Sequence, residues 1–68
     1  MKQAEFQEKI KWIDGMNYCA VDANSAVWLY KEKPHFKDLY WLEQPEKFLG
    51  FIPVNDPENW LFSKEEEL

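Results

Sequence analysis

A chain of 68 residues with 13 acidic side chains, 8 basic ones and a formal charge of −5 makes one small domain that repels nucleic acid and anionic membrane. All eight of those basic residues are Lys, so the bidentate capture of phosphate or guanine edges that Arg provides is unavailable. One cysteine permits no intramolecular disulfide, and no apolar run approaches the roughly 20 residues of a membrane span. With no signal peptide, the expected location is a reducing cytoplasm. The small size is offset by four Trp, five Phe and three Tyr, each able to remove roughly 150–250 Å² from water.

In chain order, residues 3–13 read as an amphipathic helix. Phe6, Ile10 and Ile13 fall at i, i+4 and i+7, with Glu5, Glu8, Lys9 and Lys11 on the other side. Asp14-Gly15 closes it, Gly15 being suited to a left-handed cap.

The stretch from Tyr18 to Tyr30 organises the rest, as two strands around the turn formers Asp22-Ala23-Asn24-Ser25. A two-residue loop would mix aromatic and aliphatic side chains on one face. A three-residue loop with Ser25 left-handed pairs Val21 with Val27 and separates them. Cys19, Val21, Val27 and Leu29 then share one face, and Tyr18, Ala20, Trp28 and Tyr30 the other. The second register is therefore expected, although a left-handed non-Gly residue costs about 1 kcal/mol.

Pro34 interrupts the ladder, after which residues 38–42 and 47–52 read as two further strands with Pro45 at the corner between them. Gly50 within the last of these points to a bulge or to a close approach by another group. Asp56-Pro57 opens a short helical turn through Trp60, and Ser63-Lys-Glu-Glu66 has capping-box spacing. Trp60, Leu61 and Phe62 are expected to tuck over a sheet edge, with 63–68 a frayed tail. The fold class is thus α+β over residues 1–68: an N-terminal helix on a four-stranded antiparallel meander, with a short C-terminal helical turn.

Chemistry is sparse. Cys19 and His35 could be written as a nucleophile–base pair, but Cys19 is placed as a small buried hydrophobe and His35 in a solvated loop. No Cys/His pair has metal-ligand spacing, and Gly15 and Gly50 are the only glycines, so no phosphate loop can form. The expectation is a protein without enzymatic activity, cofactor or metal. Tyr18, Trp28 and Tyr30, joined by Tyr40 or Trp41, are residue types enriched at binding hot spots. Either the C-terminal segment covers this face as a second core, or the face is open for a partner.

The run from Tyr18 to Pro34, followed by Trp41, Gly50 and Asn59-Trp60, resembles short phage and prophage proteins of unassigned role. Those look like A-V-D-x-[DN]-G-x-[VI]-[YW]-x-[YF]-x-x-K-P, with a later tryptophan, a glycine-bearing strand and a terminal D-W-like motif. Here Ser25 stands for the usual turn glycine and Asn59 for a common acid. The resemblance implies an accessory protein in the bacterial cytoplasm that binds a host or phage protein, as inhibitors of host defence do. The partner-binding residues would be Tyr18, Trp28, Tyr30, Tyr40 and Trp41. A nucleotide-binding sponge and a homo-oligomeric assembly component remain open alternatives. DNA mimicry is disfavoured because lysines interrupt the acids.

Overall fold

A computed structural model describes residues 2–67, with side chains from 2 to 65. Helix α1 spans Gln3–Lys9. The strands are β1 (Tyr18–Val21), β2 (Ala26–Tyr30), β3 (His35–Lys37), β4 (Tyr40–Leu42), β5 (Pro45–Phe51) and β6 (Leu61–Ser63). Short 3-10 turns occupy Pro57–Asn59 and Lys64–Glu67. The domain is α+β, with four strands ordered β5-β2-β1-β6 and β3-β4 forming a separate two-stranded hairpin.

The central hairpin has the register expected from its side-chain sorting. Val21 lies opposite Val27 and Tyr18 opposite Tyr30, with Ser25 left-handed at φ 72°. The Ser25 amide donates to the Asp22 carbonyl, and the Asn24 side chain accepts from the Ala26 amide, closing the loop locally. Cys19, Val21, Val27 and Leu29 form the main core with Ile10, Met16, Ile52, Trp60 and Phe62. Ala20 and Tyr30 lie on the opposite face with Trp41, flanked by Tyr18, Trp28, Phe36 and Leu61.

Three expectations need correction. The four-stranded sheet is not a meander. Residues 40–42 turn back on His35–Lys37 instead of joining it, and the fourth place is taken by β6, antiparallel to β1. Leu61 and Phe62 therefore extend the sheet edge rather than fold over it: Phe62 reaches the main core and Leu61 the second one. The C-terminal helical turns are 3-10 turns only, and Ser63 belongs to β6. Glu66 of the capping-box pattern has its side chain outside the described residues, as has Leu68 of the expected tail.

The helix is also shorter than its stripe. It ends at Lys9, and Ile10 is extended at φ −65° and ψ 125°. A continued helix would direct Phe6, Ile10 and Ile13 inward. Extended backbone instead brings Ile10 and Trp12 to the core and leaves Ile13 exposed. Two turns of helix are marginal alone, so tertiary burial of the larger Trp12 overrides the helical period. Gly15, at φ 90°, still makes the turn into β1.

Gly50 marks a bulge, as its place in a strand suggests. Val27 pairs with Gly50 but Trp28 with Phe48, leaving Leu49 as the extra residue. A second irregularity at Glu46 follows, since Leu29 pairs with Lys47 and Tyr30 with Pro45. Relief of strain at the central turn is measurable. Ser25→Gly should raise stability by about 0.5–1 kcal/mol, several degrees in melting temperature for a domain of this size. A drop in urea or thermal melts would mean that the serine side chain supports the turn.

Candidate functional site

The five aromatic residues expected to bind a partner occupy different environments. Tyr30 is 1% exposed and Trp41 9% exposed, both in the second core. Tyr18 and Trp28 are half-buried, and Tyr40 stands 49% exposed on the outer side of β4. The aromatic face is therefore covered in its middle. Its main cover is the β3-β4 hairpin, and the C-terminal segment adds the Leu61 side chain.

Trp41 holds that cover in place. Its indole Nε1–H lies 3.0 Å from the Val21 carbonyl and 3.3 Å from the Pro57 carbonyl. Its backbone amide donates to Asp22 Oδ1 at 2.9 Å. Phe36 packs edge-on against the Trp41 ring, 5.1 Å away. Asp22 thus serves as more than a turn former, because its carboxylate reaches 19 residues along the chain to the hairpin. Burial raises its pKa above the ordinary 3.8, while the Trp41 amide pulls the other way. Asp56 shows the opposite shift: the indole of Trp60 and the amide of Asn59 donate to its carboxylate and lower its pKa.

Both covering layers leave β5 underprotected. On the main-core face, Phe6 of α1 packs against Trp60 and Phe62, at ring separations of 5.6 and 5.3 Å. Toward β5 an apolar groove of about 240 Å³ opens instead, bordered by Phe6, Lys9 and Ile10 on one side and Leu49, Phe51 and Ile52 on the other. On the second face, Trp41 is anchored over Val21 and Pro57. Trp28, Phe48 and Phe51 continue outward as a chain of ring contacts at 5.0 and 5.2 Å.

Among the described residues, the two most exposed large apolar side chains are Phe51 at 73% and Leu39 at 63%. Both are tied by backbone pairing to the loop between β1 and β2. The Leu39 carbonyl accepts from the Ala23 amide, Phe51 lies opposite Ala26, and the Ile52 amide donates to the Ser25 carbonyl. Four of the five left-handed residues among those described gather here: Ser25, Asp38, Leu39 and Gly50. Positive φ at both Asp38 and Leu39 marks the two-residue β3-β4 loop as type I′, where glycine normally takes the second place. Leucine there is strained by about 1 kcal/mol and exposed as well. Sequence reasoning missed Leu39 and Phe51, because neither sits in an aromatic alternation; the signal was a leucine following Asp in a turn.

Cys19 and His35 are not brought together as a nucleophile–base pair. Cys19 is fully buried on the main-core face, whereas His35 is exposed on the hairpin that covers the other face. No group of three or more His, Cys, Asp or Glu capable of holding a metal ion gathers among the described residues. No described helix is long and apolar enough to cross a membrane. In comparisons with known proteins, no protein-family model, curated protein or solved structure matches this chain.

The buried carboxylate gives a signed pH dependence. With its folded-state pKa above 3.8, Asp22 holds a proton in the folded state that the unfolded state releases. Its contribution to stability is therefore fully present below pH 3.8 and falls as pH rises through the raised value. Asp56 contributes stability above 3.8 that is lost as pH falls through its lowered value. Asp22→Asn keeps an oxygen for the Trp41 amide and should remove the first dependence from melts between pH 4 and 7 without loss of stability at pH 7. Asp22→Ala should lose about 1–3 kcal/mol by stranding that amide. Equal loss in both variants would mean that the charge itself holds the hairpin.

Proposed function

We propose that this protein is a small non-enzymatic binding protein of the phage accessory kind, which docks on a host protein and modulates it. The reading rests chiefly on Leu39. A large apolar residue is held in a left-handed turn position and most of it faces solvent, so it bears a conformational cost and a hydration cost with no return inside the fold. Strained backbone and exposed apolar surface coincide where a partner repays both. Phe51, Phe48 and the half-buried Trp28 add a second run of apolar surface along β5.

The docking surface differs from the one expected from residue types. Of the original five residues, Trp28 and Tyr40 offer accessible rings, whereas Tyr30 and Trp41 hold the second core together. Strand addition at β5 is disfavoured, because bulges at Glu46 and Leu49 break the spacing of its outer edge and Pro45 lacks a donor. Side-chain anchoring is the mode that remains. The acidic balance of the chain favours encounter with a basic host protein and protects against promiscuous association.

Capture from bacterial lysate tests the reading when three forms are compared. Phe51→Ser and Leu39→Gly should keep the wild-type circular dichroism, and Leu39→Gly should melt no lower than wild type. Each should lose a stoichiometric partner by about 2 kcal/mol or more, roughly 30-fold. Undiminished capture by both variants would remove this surface from the interaction.

A further inference from the structure

We infer that the groove between α1 and β5 is the socket for one apolar anchor residue of the partner, flanked in the partner by a carboxylate that pairs with Lys9. This inference rests on the reading of the β5 corner as a docking surface and adds the chemistry of what enters it.

The groove has the size of a side-chain pocket. At about 240 Å³ it exceeds the roughly 150 Å³ of an apolar cavity that admits benzene. It falls short of the roughly 300–1,000 Å³ of sites for drug-sized ligands and cofactors. Ile10, Val27 and Ile52 form its buried wall, and Phe6, Leu49 and Phe51 stand around it. An aliphatic group seated there would touch carbon on several sides, the setting in which interface anchors contribute most.

Lys9 supplies the polar selection. It is the one charged residue bordering the groove, it is exposed, and among the described residues its ammonium makes no ion pair. Its position in the last turn of α1 suits a cation. Lys9 thus places one positive charge at the groove on a chain whose net charge is −5. A partner segment with an acid beside its apolar anchor satisfies both, whereas a basic residue at that place meets Lys9 at close range. The contact with Lys9 is solvated, so it contributes selection more than affinity.

Short blocked peptides test this without knowledge of the partner. Acetyl-Glu-Leu-Glu-amide, acetyl-Lys-Leu-Lys-amide and acetyl-Glu-Ala-Glu-amide would be titrated against the ¹⁵N-labelled protein while the amide resonances of Ile10, Gly50 and Ile52 are followed. The acidic leucine peptide should shift all three saturably and bind about fivefold more tightly than its lysine counterpart. The alanine peptide should give no saturable shift. Lys9→Gln, at an exposed position that leaves the fold intact, should abolish the preference for acids and keep the leucine-dependent shift. Equal binding of the two leucine peptides, or shifts confined to other residues, would overturn the inference. So would tighter binding of octanoate than of the acidic leucine peptide, which would reassign the groove to a free fatty acid. These outcomes are separable from the lysate experiment. Loss of capture in Phe51→Ser with no peptide selectivity leaves the docking surface and removes the socket. Peptide selectivity with capture insensitive to Phe51 and Leu39 does the reverse.

Discussion

The Trp41 side chain is the constraint on which the arrangement of surfaces depends. A two-stranded hairpin of three-residue strands has little stability of its own in water. Trp41 supplies the tertiary attachment by burying its ring and placing its indole N–H between the carbonyls of Val21 and Pro57. The backbone amide of the same residue uses the Asp22 carboxylate, so one residue joins the central turn, the hairpin and the C-terminal 3-10 turn. Removal of the ring would uncover Ala20 and Tyr30 and leave the Asp22 bond as the remaining tie of the hairpin to the central turn.

The position of that attachment decides what is left exposed. Trp41 is fixed near Val21 and Pro57, toward the β1-β6 side of the sheet, and α1 leans the same way through Phe6, Trp60 and Phe62. Two covering layers therefore converge on one half of a four-stranded sheet. The β5 half has the groove on one face and the Trp28-Phe48-Phe51 chain on the other. An 8.3 kDa chain has too few residues to cover both halves, and its uncovered half carries its most exposed aromatic. Long-range attachment and the exposed rings of the sheet thus lie toward opposite edges.

Much of the central hairpin was legible in the sequence, because a one-residue slip would have mixed Trp28 and Tyr30 with Val21 and Cys19. Alternation alone carried that register, even against the strain at Ser25. The bulge at Gly50 was equally readable from a glycine inside a strand pattern. The hairpin of β3 and β4 was not, since His-Phe-Lys after a proline has too few residues for alternation to show. Leu61-Phe62-Ser63 lay between two helix-capping signals, and local capping chemistry hid an edge strand set by pairing with β1. The candidate site was half legible. Aromatic residue types marked out one face of the hairpin, but burial of Tyr30 and Trp41 on it depends on a long-range bond from Asp22 that no local pattern encodes. Leu39 became informative only once its backbone angle and exposure were both known.

The most direct measurement is hydrogen exchange of the four indole N–H groups, followed by NMR under native conditions. If the hairpin cover is locked as the hydrogen bonds indicate, the Trp41 indole should exchange only through global unfolding, at the rate of the β1 and β2 amides. Trp28, which packs on the uncovered half, should exchange far faster. A Trp41 indole exchanging as fast as Trp28 would show that the hairpin swings free, that Tyr30 and Ala20 are open to partners, and that the β5 corner is not the principal apolar surface.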